Sequence, residues 1–209
     1  MNAPRALRIC CCRRVCRSCE DKVGDECPLC RVPLAKSDAE AIARLRRHVE
    51  NEVPEAIACL GDVYREGAYG HVASAKKAAK LYKRAVELGN VNAMNNLGHF
   101  YNNGLGVKLD KKKAERLYRM ASDRGDPRAQ NNMGGHLHQT GDLEGSFHYW
   151  RLSAEQGLLQ AQHNVGCAYL HGRGVERDRE EAKRWFARAA ARGFEPCIDA
   201  LAKLAEGGY

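Results

Sequence analysis

The residues with the clearest chemical potential are cysteines. Seven of the ten lie near the start of the chain, at Cys10, Cys11, Cys12, Cys16, Cys19, Cys27 and Cys30, while Cys59, Cys167 and Cys197 are scattered. Cys16-x2-Cys19 and Cys27-x2-Cys30 each offer two thiolates from one tight turn, and four thiolates satisfy a tetrahedral structural Zn2+. No apolar stretch of the kind that directs secretion precedes them, so paired spacings point to metal rather than to a disulfide framework. Residues 1–36 are also too few to hold a hydrophobic core, and an ion would supply what the core cannot. The scattered thiols read as ordinary helix residues.

Other constellations carry less. His136 and His138 point about 200° apart on a helix, which makes a shared ion awkward and a partly exposed structural role the expectation. Gly-x-Gly-Val occurs twice, but as a recurring turn and not after a buried strand, so it is no phosphate loop. No nucleophile motif or carboxylate pair stands outside the repeat pattern described next, and no catalytic residue is expected. The formal net charge of +8 permits an acidic partner. Lysine and arginine are nevertheless interleaved with acids and lack the aromatics of a base-stacking surface, which argues against nucleic acid. No apolar run is long enough to span a bilayer, so no membrane segment is expected.

The elements that must position these residues are repeated. Gly61, Gly98, Gly134 and Gly166 each follow an apolar residue, at intervals of 37, 36 and 32 residues. Ser74, Asp110, Asp142 and Asp178 form a second ladder. Four residues after each comes Ala78, Ala114, Ser146 or Ala182; eight after, Tyr82, Tyr118, Trp150 or Phe186; eleven after, Ala85, Ala121, Ser153 or Ala189; fifteen after, Gly89, Gly125, Gly157 or Gly193. Those offsets describe a helix: Ser or Asp caps its first turn, glycine stops it, and the small, aromatic and small residues share the buried face. A preceding helix repeats as Ala56-Leu60-Gly61-Tyr64, Ala93-Leu97-Gly98-Tyr101, Ala129-Met133-Gly134-Leu137 and Ala161-Val165-Gly166-Tyr169. Small residues let the two backbones approach while the partner helix's aromatic fills the space beside them. Such hairpins cannot bury a face alone and must stack. Only the second and fourth carry the Gly104-Leu105-Gly106-Val107 and Gly172-Arg173-Gly174-Val175 turns, so the first and third should have different loops.

The string Ala-x3-Leu-Gly-x2-Tyr-x2-Gly-x-Gly-Val-x2-Asp-x3-Ala-x3-Tyr-x2-Ala-x3-Gly from Ala93 to Gly125 resembles the Sel1-like repeat, a relative of the tetratricopeptide repeat. The resemblance implies an all-α fold, a right-handed α-α superhelix that serves as an adaptor surface for other proteins. Four repeats would occupy residues 54–90, 91–126, 127–158 and 159–194. A capping half-repeat would precede them at 37–53, opened by the capping box Ser37-Asp38-Ala39-Glu40, and a second capping helix would follow to about residue 205.

The segment from Cys10 to Arg31 resembles the latter part of a RING finger. The resemblance implies a cross-brace in which two of Cys10, Cys11 and Cys12 join Cys27 and Cys30 around one zinc. Cys16 and Cys19 would then need an upstream pair that this sequence lacks. Seven cysteines fall short of eight ligands, so either the sequence begins inside the finger or Cys16, Cys19, Cys27 and Cys30 close a one-zinc remnant. Pro28 and Arg31 match positions at which RING ligases contact a ubiquitin-conjugating enzyme, although the first zinc loop of that contact is missing.

The expected function is a non-enzymatic protein-binding scaffold: a protein or peptide on the concave face of the repeats, behind a structural zinc module at 1–36. The alternative is a RING-type ubiquitin ligase that uses the repeats to recruit substrates. The expected location is cytoplasmic, with the nucleus as the alternative. A mitochondrial leader is the rival reading of the first residues, since five arginines precede Glu20, but the interspersed cysteines suit a zinc module better.

Overall fold

The computed structural model describes residues 35–206. Cys10, Cys11, Cys12, Cys16, Cys19, Cys27, Pro28, Cys30 and Arg31 lie outside the described residues, and with them the zinc and RING readings. The described residues form ten α-helices and no strand. They divide into two compact units, one ending at Lys111 and the other beginning at Lys112.

The first unit holds α1 (Asp38–Glu50), α2 (Pro54–Glu66), α3 (Ala75–Glu87) and α4 (Val91–Asn103). At the start of α1 the Ser37 hydroxyl accepts from the Glu40 N–H at 3.2 Å. The Glu40 carboxylate reaches back to the Lys36 N–H at 2.8 Å, one residue earlier than in a strict capping box. That backbone bond, and then Arg44, hold the Glu40 carboxyl below its ordinary range. Ala41, Ile42 and Leu45 of α1 pack on Ala56, Cys59, Leu60 and Val63 of α2. Leu45 is fully buried, a burial worth about 1.5–3 kcal/mol. The half-repeat therefore covers an apolar face that α2 and α3 would leave open.

The second unit holds α5 (Lys111–Ser122), α6 (Pro127–Thr140), α7 (Leu143–Glu155), α8 (Leu159–His171), α9 (Arg179–Ala190) and α10 (Glu195–Ala205). Its C-terminal core gathers Leu170, Phe186, Ala189, Cys197, Ala200 and Leu204, so α10 closes the last hairpin as α1 closes the first.

The sequence ladders correspond to physical positions. Tyr82, Tyr118, Trp150 and Phe186 are all buried, as are the small residues four before and three after each. Small partners are obligatory beneath the rings: a Cβ on Gly61 would lie 2.6 Å from Tyr82 Cε1, one on Gly134 2.5 Å from Trp150 Cδ1, and one on Gly166 would collide with the Phe186 ring. Side-chain caps at Ser74, Asp142 and Asp178 accept first-turn N–H groups. The backbone N–H of each capping residue also ties back to the preceding helix: Ser74 to the Tyr64 carbonyl at 2.7 Å, Asp110 to Tyr101 at 2.9 Å, Asp142 to Leu137 at 3.0 Å and Asp178 to Tyr169 at 3.0 Å. One bond thus sets the end of each inter-helix loop whatever its length.

The loop of the first hairpin shares part of the geometry of the second and fourth and departs from it in the rest. Gly104 and Gly106 have φ of 67° and 65°, and Gly172 and Gly174 of 65° and 72°. The first hairpin has three left-handed residues, Gly67 with φ 68°, Tyr69 with φ 54° and Gly70 with φ 73°, and an added turn in which the His71 N–H donates to the Ala68 carbonyl at 3.1 Å. A tyrosine adopts that left-handed geometry at Tyr69. At Gly106 a Cβ would run into the Ala75 backbone at the start of α3, and at Gly174 into the Leu143 backbone at the start of α7. Glycine is needed there to seat one loop against the preceding helix, whereas Tyr69 instead packs its side chain beside the α1–α2 core.

Candidate functional site

Two polar arrangements stand out, one in each unit. In the first, Asp62 of α2 is buried and holds three helices together: its Oδ1 accepts from the Tyr82 hydroxyl of α3 at 2.7 Å and from Asn96 Nδ2 of α4 at 3.1 Å, with Arg65 Nη2 at 3.3 Å. Burial, then the Asp62 charge, pushes the Tyr82 hydroxyl far above the usual tyrosine range, so it serves as a neutral donor. In the second unit the equivalent helices carry an amide ladder. Asn164 of α8 donates to Asn131 of α6 at 3.0 Å, Gln160 reaches Asn164 at 3.3 Å, and Gln156, which caps the C-terminus of α7, donates to Gln130 at 2.7 Å. Asn131, Asn164 and Gln160 are part-exposed, so this ladder also faces solvent.

His136 departs from its expectation of partial exposure. It is buried, with Nε2 3.5 Å from Glu115 Oε2 of α5. His138, half-buried, tilts against Trp150 with ring centroids 5.4 Å apart. The two imidazoles face different neighbours, as their angular separation requires.

A groove of about 260 Å³ opens in the second unit between α8 and α10. His163, Cys167 and His171 succeed one another at single-turn intervals on α8, and Pro196, Asp199, Ala200 and Lys203 face them from α10. Leu170 and Phe186, both buried, form the apolar floor. Cys167 Sγ lies 3.7 Å from His163 Nε2 and 3.9 Å from Nδ1. Burial pushes the Cys167 thiol up against the opposing pull of Arg173, and pushes Cys197 up to about 11, with Cys167 contributing second. Among the described residues no three His, Cys, Asp or Glu side chains are gathered so as to hold a metal ion. The groove sets polar groups of both signs around buried apolar side chains.

The sequence pattern flagged none of this groove. Cys167 read as a plain helix residue, and Asp199 and Lys203 lie beyond the last full repeat, where no ladder position singles them out. The one available signal was the spacing of four between His163, Cys167 and His171.

Compared with known families, residues 54–90, 91–126, 127–158 and 159–194 each match the Sel1 repeat model. The chain belongs to the Sel1 repeat family. Among solved structures, this Sel1 repeat chain is similar to c5321, a protective antigen of uropathogenic Escherichia coli with an SLR fold. The likeness has a TM-score of 0.73 at 32% identity and covers 80% of this chain and 37% of that one. It is similar also to a Sel1 repeat protein from Oxalobacter formigenes, with a TM-score of 0.72 at 29% identity over 79% of this chain and 69% of that one. A curated relative, DAP3-binding cell death enhancer 1 of Rattus norvegicus, is 43% identical over 44 residues. That segment is 21% of this chain and 9% of the relative. The comparisons thus establish the all-α repeat fold of this Sel1 chain. Among the described residues no helix is long and apolar enough to cross a membrane.

Proposed function

We propose that this Sel1 repeat chain is a protein-binding adaptor whose partner lies against the first helices of the hairpins. The observation that carries this reading is the division of labour within each hairpin. Second helices spend their aromatic residues on the core, while first helices keep partly exposed amides and imidazoles: Asn131 and Asn164 in the ladder, His163 in the groove. Such side chains donate and accept without the desolvation cost of a full charge, which suits a peptide backbone or a polar protein surface. Affinity capture with the full chain, followed by cross-linking of the captured partner, tests it. Cross-links should map to α2, α4, α6 and α8. Mapping confined to residues 1–36 would overturn the reading.

We propose further that the thiols between Cys10 and Cys30 hold structural zinc, on the strength of the two C-x2-C spacings seven residues apart. Metal analysis of purified chain should give one zinc per chain for a remnant, whether closed by Cys16, Cys19, Cys27 and Cys30 or by Cys27, Cys30 and two of Cys10, Cys11 and Cys12, and two only for a complete finger, whose eight ligands exceed these seven cysteines. Ubiquitin ligase activity is the second reading, favoured by Pro28 and Arg31. An autoubiquitination assay with a panel of conjugating enzymes decides it: polyubiquitin that depends on Pro28 supports the ligase, and silence removes it.

A further inference from the structure

The exposed face of α3 carries charge that the fold does not balance. Lys76, Lys77, Lys80 and Lys83 are all exposed, and among the described residues none of their ammonium groups meets a carboxylate. Arg84, the remaining cation of the helix, is paired with Glu52 at 2.9 Å. Lys77 Nζ lies 5.1 Å from the centre of the Tyr64 ring and Lys83 Nζ 5.9 Å from that of Tyr101, so the flanks of the row rest over aromatic faces while Lys76 and Lys80 stand between them. The other full second helices balance their charges. In α9 Glu180 and Glu181 pair with Lys183 and Arg184, in α5 Glu115 pairs with Arg119, and in α7 Glu155 pairs with Arg151. The first turn of α3 has no acid. Its two lysines there sit at the positive end of the helix dipole, and Lys76, Lys80 and Lys83 are like charges one turn apart. That arrangement weakens the helix, and no acid of the described fold offsets it.

We propose that this face docks an acidic helical segment of a partner protein, with carboxylates one turn apart. Lys76, Lys80 and Lys83 succeed one another at four and three residues, within an arc of about 60° and over about 10 Å of helix. A facing helix with acids at the same spacing meets each ammonium in turn, as the charged positions beside a coiled-coil seam do. Charge complementarity selects an occupant that carries acids. The extent of the row selects a narrow one. Glu87 is exposed on the same face one turn beyond Lys83, so a lipid sheet or a nucleic-acid duplex reaching past the row would meet a like charge. Nor has α3 an apolar side to insert into a bilayer, because Ala78, Ala79, Tyr82 and Ala85 are buried in the core. Its one arginine, the side chain suited to a bidentate grip on phosphate, is engaged by Glu52. This surface goes beyond the adaptor reading, since it lies on a second helix and not on the first helices.

The test uses the full chain and a labelled alanine-based helical peptide with glutamates at i, i+4 and i+7, read by fluorescence anisotropy. One twin replaces each glutamate by glutamine, and another moves the glutamates to i, i+2 and i+5, which spreads the same charge around the helix. The first peptide should bind, more weakly as salt rises. The glutamine twin should bind at least tenfold more weakly and the displaced twin severalfold. Lys80→Glu should reduce binding at least tenfold. Lys76→Glu should do the same while raising the urea midpoint, because an acid there suits the helix dipole and pairs with Lys80. Opposite signs in the two readouts separate lost docking from a damaged fold. Arg188→Glu, the same charge change on the exposed side of α9, should bind as the parent does. No binding of the first peptide, equal binding of either twin, or equal weakening by Arg188→Glu and Lys80→Glu would overturn the proposal. So would binding to vesicles of phosphatidylcholine and phosphatidylserine, or to a duplex oligonucleotide, at the same salt and lost in Lys80→Glu, by giving the face to a lipid or nucleic-acid surface. Cross-links of a captured partner to the first helices are read separately, so the adaptor reading stands or falls on its own.

Discussion

The Tyr82 hydroxyl donates to Asp62 Oδ1 at 2.7 Å, and through that one bond the aromatic ladder of the second helices is joined to the polar side of the first. The ring fills the space above Gly61, and its oxygen satisfies a buried carboxylate that would otherwise be costly to fold.

Tyr82→Phe keeps the ring and removes the donor. Asp62 retains Asn96 and Arg65, so the expected loss is about 1–2 kcal/mol and not the larger penalty of an orphaned charge. Urea unfolding of parent and variant measures it. A variant as stable as the parent would show that the bond contributes nothing net.

Alkali should destabilise the repeats in a defined sense. Burial raises the Tyr82 and Tyr118 hydroxyls above their ordinary value, so the folded state keeps protons that the unfolded chain releases. Their contribution is fully present below about pH 10, the unfolded tyrosine value, and is lost as pH rises above it. The raised thiols of Cys167 and Cys197 act in the same direction from about pH 8.5. The urea midpoint should fall progressively across this window, and less steeply in Tyr82→Phe.

Two glycines with similar backbone angles should respond unequally to alanine. Gly193 has φ 76° with nothing within 4 Å of a Cβ, so Gly193→Ala pays only for the left-handed backbone, about 1 kcal/mol. Gly174 has φ 72°, and its Cβ would meet the Leu143 backbone, which cannot turn away as a side chain can. Gly174→Ala should therefore cost at least about 1–3 kcal/mol more. Thermal melting ranks the pair, and equal losses would refute the seating role assigned to Gly174.

Gly61→Ala tests the ring contact from below. The added methyl 2.6 Å from Tyr82 Cε1 forces the ring to shift and strains its hydroxyl bond to Asp62, for about 1–3 kcal/mol. In Tyr82→Leu, where no rigid ring covers the glycine, the same substitution should cost less, and a double-mutant cycle reads that coupling.

Zinc removal should separate the two parts of the chain. If residues 10–30 hold the ion, a chelator should release it while the far-ultraviolet helix signal and melting of the repeats stay within error. Collapse of the helices on chelation would place the metal in the repeat fold instead.

Much of this was legible from spacing because it depends on local rules repeated four times. Offsets of four, eight and eleven put Ala78, Tyr82 and Ala85 on one helix face in any environment, and Ser74 caps the same turn wherever the helix lies. Asp62 was not legible, since an acid one residue after the conserved-looking Leu60-Gly61 step appears in only one repeat. Its meaning comes from Tyr82 and Asn96, twenty and thirty-four residues away. The first loop was legible in part. Its residues set it apart from the second and fourth, and it does differ, through Gly70 and the turn from Ala68 to His71, yet Tyr69 takes the left-handed place that Gly106 holds in the second.

By itself the sequence determined the helices, their caps, their buried faces and the repeat family, because periodicity and capping act over one or two turns and leave a mark in residue order. Only the tertiary structure decided that Gly106 and Gly174 seat loops on preceding helices, that Asp62 ties three helices together, and that α10 lays Asp199 and Lys203 opposite His163 and Cys167. Those relations join residues distant in sequence, and packing brings them together where no periodic rule connects them.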